Sequence, residues 1–232
     1  MQSIVVWIQQ HILFMFAIGI VACNFAWLMV CRKKLNIKWY AALIIAILHD
    51  VIGYTAMRLW AIIEVGGDLG KAANMRLFGA VFVLPLLYCA WAKLFRHETA
   101  LVMDASAICL SVGLLLGRIN CLLGGCCIGT LIPGRMGWRW PIREVEIIYY
   151  VAFIAWYSHR IICDKTHGQV YPVFMISYGG LRFILEWFRV EYSGVGGLHL
   201  GTIWSVLSII IGLSIFFAQQ EKQTKKRRVK KK

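Results

Sequence analysis

Seven stretches of about twenty mostly apolar residues, separated by short polar or basic segments, leave this chain few folds to choose from. They run roughly over 12–31, 41–63, 77–95, 101–122, 144–162, 169–188 and 199–218. A stretch of that length matches the hydrocarbon thickness of a bilayer. Lipid offers the backbone no hydrogen-bonding partner, so the interior of each must be helical. Composition agrees: 60% of the 232 residues are hydrophobic and 16% are charged, with a mean hydropathy of +0.69. The expectation is an all-α polytopic membrane protein with seven transmembrane helices in 1–220 and a basic cytoplasmic tail at 221–232. The opening MQSIVVWIQQHILFMF has no basic n-region and no small-residue cleavage site, so it reads as the approach to a retained span rather than a signal peptide.

Basic residues set the orientation. With the N-terminus outside and the C-terminus inside, 16 of the 25 fall in cytoplasmic segments. They are Arg32, Lys33, Lys34, Lys38, Lys93, Arg96, Arg160, Lys165 and the eight of the tail QQEKQTKKRRVKKK. The tail supplies much of the net charge of +14. It is read as a topology signal touching anionic membrane lipid, not as a nucleic-acid site. Of the nine basic residues left outside, seven are arginines at outer helix ends or in the 118–143 loop. A guanidinium is a planar fork that fits phosphate or carboxylate, and a phospholipid headgroup is its obvious partner at an outer interface.

Charges inside the apolar stretches narrow the site. In YGGLRFILEWFRVE (178–191), Arg182, Glu186 and Arg189 are spaced i, i+4, i+7 and share a helix face. Such a stripe is expensive in lipid unless the face meets partners or water. Snorkelling accounts for Arg189 but poorly for Arg182, which lies about two turns deeper. Glu146, in PIREVEIIYY, lies deeper than Glu144 and calls for a partner arginine, Arg118 or Arg182. Asp50 and Arg58, eight residues apart, share a face of the second stretch, as a structural or a functional pair. Asp104 is read as a helix-start or packing residue, and His199 as structural.

Of eight cysteines, only Cys121, Cys126 and Cys127 cluster, in GRINCLLGGCCIG (117–129). No C-x-x-C pair is present, so neither a zinc site nor a thioredoxin-type site is expected, and no metal or cofactor is called for. Adjacent cysteines rarely bridge, because the small ring is strained. Cys126 and Cys127 are read first as small packing residues, with a redox or acceptor site as the alternative.

Four elements in order resemble the prolipoprotein diacylglyceryl transferases of bacterial inner membranes. GRINCLLGGCCIG is similar to the family signature, Gly-Arg-Ile-Gly-Asn-Phe followed by Asn-Gly-Glu and a later glycine. YGGLRFILEWFR resembles Tyr-Gly-x-x-Arg-Phe-x-x-Glu-Phe-x-Arg, and GGLHLGTIWS resembles Gly-Leu-x-x-Gly-Gln-x-x-Ser. WPIREVE stands where the family has His-Pro-Ser-Gln-Leu-Tyr-Glu. The resemblance implies catalytic roles for Arg118, Arg182 and Glu146, and headgroup or substrate contacts from Arg189, Glu186, Arg143, Gly117, Gly129 and Asn120. Pro141, Gly201 and Ser205 also match. Departures are Cys121 for the signature Asn, Cys126 for its Glu, Trp140 for His, Arg143 for Gln, Thr202 for the last-helix Gln, and Phe78-Gly79-Ala80 for a His-Gly-Gly element. They mark a divergent paralogue as one reading.

The implied fold is a seven-helix bundle with a central cavity open to the outer leaflet and small extracytoplasmic loops. The implied reaction moves diacylglyceryl from phosphatidylglycerol to the lipobox cysteine of a lipoprotein precursor, without a cofactor. Two alternatives remain open: an enzyme moving another lipid or headgroup, and a non-catalytic lipid-binding or transport protein.

Overall fold

The computed structural model of the chain describes residues 2–66, 76–163, 168–190, 194–195 and 198–230, with side chains described within 14–221. Among the described residues there are eight helices: α1 (Gln2–Val30), α2 (Arg32–Leu35), α3 (Trp39–Glu64), α4 (Leu77–Leu94), α5 (Thr99–Leu123), α6 (Ile142–Ile162), α7 (Val170–Glu186) and α8 (Leu200–Lys230). Gly194–Val195 and Leu198–His199 make a two-residue antiparallel pairing. The seven longer helices follow the seven apolar stretches to within two residues, except at two ends. Helix α1 begins at Gln2, and α8 runs on to Lys230. The second extension has a simple cause: Lys, Arg, Gln and Glu are good helix formers, and a helix already nucleated propagates cheaply. Lys165, used above for orientation, lies outside the described residues, as do the side chains of His199 and of the basic tail.

Among the described residues, four helices are long and apolar enough to cross a membrane: α3, α4, α5 and the Leu200–Glu221 part of α8. Phe14–Val30 of α1 is apolar but shorter. Helix α6 opens on Arg143, Glu144 and Glu146, and α7 has 17 residues and ends on Arg182 and Glu186. The outer surface carries Ile63, Leu86, Ile148, Trp156 and Ile184, each more than half exposed. In water this would be an apolar patch of unusual extent, whereas lipid solvates it. The chain is an all-helical membrane protein.

Helix α5 is the hub, packing on α1, α4, α6 and α7. Asp104 through Ser111 are buried without a break, as expected of a helix enclosed on every side. Ala105, Ser106, Ala107, Cys109 and Ser111 are small enough for neighbours to come close. Ser106 and Ser111 donate to the carbonyls of Met103 and Ala107, at 2.7 and 2.8 Å, so neither hydroxyl is stranded.

Asp104 does more than start a helix. It is fully buried and accepts backbone N–H bonds from Gly168 (2.7 Å), Val170 (2.9 Å) and Tyr171 (3.1 Å). The first turn of α7, Val170-Tyr171-Pro172, offers no capping side chain of its own. A carboxylate on α5 therefore caps α7 from outside and suits the positive end of its dipole. Gly168, at φ +87°, lets the chain approach that carboxylate. Farther along, Gly179 sits against the Ser205 backbone, which brings α8 close to α7.

Candidate active site

The ends of α3, α5 and α7 meet the starts of α4, α6 and α8 at one end of the bundle, and that is where the charged side chains converge. Arg118, near the end of α5, grips Glu146 in the first turns of α6 through two bonds. Its Nε lies 2.6 Å from Oε2 and its Nη2 donates to Oε1 at 3.1 Å. Arg182 on α7 reaches the same Glu146 Oε1 from Nη1 at 3.3 Å and donates from Nη2 to Glu186 Oε2 at 2.9 Å. Arg189 Nη1 lies 3.7 Å from that Glu186 oxygen. Arg118, Arg182, Glu146 and Glu186 are each at most 5% exposed. Both arginines expected as partners for Glu146 are thus its partners.

The result is an alternating chain, Arg118–Glu146–Arg182–Glu186–Arg189, with three guanidiniums and two carboxylates and hence a formal charge of +1. Isolated burial of any member would cost several kcal/mol, on the order of the desolvation penalty of an ion. Together each charge finds its complement, and the surplus is positive. Arg182 also lies over the Phe78 ring, 5.6 Å from its centre, which fixes the plane of its fork.

This chain borders a cavity of about 570 Å³ between α1, α3, α4, α5, α7 and α8. Phe16, Ile20, Leu84, Leu110 and Leu114 form part of an apolar portion, and Arg118, Arg182, Glu186 and Arg189 bring the charge. Gly117 and Asn120 line it as well, and an added methyl at Gly117 would meet open space. Asp50 faces the cavity while Arg58 is exposed. His49 also lines it and bonds through Nδ1 to the Tyr88 hydroxyl at 2.9 Å.

Two expected substrate contacts lie elsewhere. Arg143 is not among the cavity-lining residues; its Nη1 donates to the carbonyls of Cys121 (3.4 Å) and Cys126 (3.2 Å). Gly129 packs so tightly on the Trp140 carbonyl that any side chain would collide. Around it, Thr130 N–H donates to the Phe188 carbonyl (2.8 Å) and Val190 N–H to that of Ile128 (3.3 Å). Arg143 and Gly129 therefore shape the loop that carries Arg189 into place.

Three features escaped the reading of the sequence. Glu64 at the end of α3 pairs with Arg76 before α4 at 2.7 Å, and the Trp204 indole donates to Glu64 at 2.8 Å. Both charges line the cavity. Their signal was available: an acid closes one apolar stretch and a base opens the next. Phe78 marked only a departure, yet it lies beneath Arg182. The thiols of Cys121, Cys126 and Cys127 converge on the cavity wall. A hydrogen bond from Cys121, with the nearby Arg118 and Arg189, holds the Cys127 thiol below the usual range despite partial burial.

An all-helical membrane protein with a buried, net cationic arginine–glutamate chain beside a mostly apolar cavity is the class that the fold and the site define. The particular family follows from the sequence. The chain matches the family described as prolipoprotein diacylglyceryl transferase over residues 11–218, and it belongs to that family. It is 30% identical over 173 residues to the phosphatidylglycerol–prolipoprotein diacylglyceryl transferase of Clostridium tetani, covering 66% of each chain. Against the proteins of that name in Helicobacter pylori and Dehalococcoides mccartyi, identity is 24% over 185 residues and 21% over 237. The matched stretch spans just under two thirds of the first two relatives, 66% and 64%, and 90% of the third.

Proposed function

We propose that this chain is a phosphatidylglycerol–prolipoprotein diacylglyceryl transferase of the bacterial inner membrane. The observation that carries the reading is the Arg118–Glu146–Arg182–Glu186–Arg189 chain beside a cavity of mixed character, in a member of this family. The apolar portion takes acyl chains and the cationic portion takes the phosphate. All seven long helices cross the membrane, the N-terminus outside and the basic tail in the cytoplasm, so the charged end faces the outer leaflet.

The chemistry follows from the charges. The thiol sulfur of a lipobox cysteine attacks the glyceryl carbon that bears the phosphate. A sulfur–carbon bond forms, the carbon–oxygen bond breaks, and its electron pair stays on the departing glycerol phosphate. Negative charge on phosphate grows as that bond breaks, so guanidiniums fixed in advance stabilise the transition state more than the ground state. Arg118 and Arg182 supply this, and Arg189 and Asn120 guide the headgroup. Glu146 and Glu186 are occupied by guanidiniums, so their role is to aim them. The surplus positive charge also favours the thiolate of the incoming cysteine, whose ordinary pKa is about 8.5, and its proton leaves to solvent.

Two of the departures from the family pattern, Trp140 and Arg143, have local work that leaves this arrangement intact. Trp140 packs on Phe188, with ring centres 4.5 Å apart, and Arg143 braces the cysteine loop. The test is release of glycerol phosphate when purified protein meets phosphatidylglycerol and a lipobox peptide. Release that needs both substrates supports the transferase. Lipid binding without release would leave a non-catalytic lipid-binding protein.

A further inference from the structure

We propose that Cys121, Cys126 and Cys127 form a three-thiolate site for a soft or borderline closed-shell cation, Zn²⁺ or Cu⁺, on the wall of the cavity. The sequence spacing, C-x₄-C-C, is not that of a zinc motif, and the case rests on how the backbone folds. The three Sγ atoms all lie within 4.8 Å of one another, and those of Cys121 and Cys127 are 3.9 Å apart. Three sulfurs bound at about 2.3 Å from one centre must sit about 3.8–4.0 Å apart. The triangle is therefore close to the size that a metal requires.

The turn is held in this shape. Helix α5 ends at Leu123, and the chain reverses through Gly125 at φ +68° and Cys127 at φ +55°. A non-glycine residue in that region is uncommon and persists only where its surroundings impose it. Here Cys126 N–H donates to the Cys121 carbonyl at 3.2 Å, and Arg143 grips the carbonyls of both residues. Arg189 Nη2 donates to Cys127 Sγ at 3.3 Å. Such an N–H···S contact is what tunes a metal thiolate from its second sphere. The guanidiniums of Arg143 and Arg189 also offset the charge of three thiolates. Cys126 is exposed and all three residues line the cavity, which leaves a fourth coordination position open to it.

The rival outcome is a Cys121–Cys127 disulfide, formed by passing two electrons and two protons to a disulfide-bearing oxidoreductase. The adjacent pair, Cys126 and Cys127, is the less favoured bridge because its ring is strained. The experiment uses the full chain, purified reduced in detergent and titrated with Zn²⁺ against a chromophoric chelator, then with Cu⁺ against a Cu⁺-specific one. One metal ion per chain is expected with one of the two ions. Cys121→Ser and Cys127→Ser should each weaken binding by more than the roughly 10–100-fold that a second-sphere partner is worth. Cys163→Ser, outside the cluster, should not change it. Co²⁺ in place of the metal should show a sulfur-to-cobalt charge-transfer band that Cys126→Ser diminishes, a readout independent of activity. The proposal is overturned if protein with three alkylatable thiols in the cluster binds neither ion. It is equally overturned if the serine variants bind as tightly as the parent, or if protein isolated without reductant is lighter by two hydrogens and carries a bridge within the cluster.

Discussion

Glu146 receives Arg118 through both of its carboxylate oxygens, at 2.6 and 3.1 Å, and shares one of them with Arg182 at 3.3 Å. One acid on α6 thereby fixes the guanidiniums of α5 and α7 relative to each other. Removing it leaves two buried cations facing one another. Glu146→Gln should lower stability by about 3–5 kcal/mol, the usual result of breaking a buried pair. Glu144→Gln, at a half-exposed carboxylate, should change stability by about 1 kcal/mol at most. Thermal unfolding in detergent, side by side, checks the contrast.

Lysine cannot reproduce the two-point grip of Arg118. Arg118→Lys and Arg182→Lys should each lower kcat by about 100-fold or more, the scale of removing a preorganised donor to a transition-state oxyanion. Both variants should still incorporate into membranes. A rate within a few-fold of the parent for either would remove that arginine from the site.

Gly201 faces the Glu186 carboxylate so closely that a methyl group would overlap it. Gly201→Ala must push Glu186 aside, and Arg182 loses the 2.9 Å partner that aims it. The expected result is a fall in kcat of about 10-fold or more with the fold retained, since a small misplacement of a positioned group is costly. Steady-state kinetics on protein that passes a thermal-unfolding check would show it.

Asp104 accepts three backbone N–H bonds at the start of α7, far along that helix from Arg182. Asp104→Ala strands those donors in the interior. It should cost about 3 kcal/mol or more, because hydrogen bonds to a charged group are worth about 1.5–3 kcal/mol each and are not additive. The rate per folded molecule should stay near that of the parent, which separates a folding residue from a catalytic one.

Much of this was legible in advance, for identifiable reasons. Helix positions were readable because lipid permits no other backbone, so apolar length alone located seven helices to within two residues at most ends. The Arg182–Glu186 pair was readable because its i, i+4 spacing puts both on one face of α7, but the helix ends at Glu186, so Arg189 reaches the site from the loop that bridges to Gly129 and not from that face. The need of Glu146 for an arginine followed from depth. What stayed hidden depends on how helices dock. Glu64 and Arg76 looked like separate residues of two helix ends until those ends met. Asp104 looked local, but its partners lie more than sixty residues away. Arg143 was expected at the headgroup from the family resemblance, and its guanidinium donates to the carbonyls of the cysteine turn. That turn depends on a positive φ at Cys127, which residue type does not announce.

The most direct test of the central claim is a mass measurement. Purified protein is incubated with phosphatidylglycerol of defined acyl chains and a lipobox peptide, beside an active relative under the same conditions. The account predicts a peptide heavier by one diacylglyceryl group, attached to the cysteine as a thioether, and no such product from Arg118→Ala or Arg182→Ala. Unmodified peptide with this chain, where the relative modifies it fully, would contradict the account.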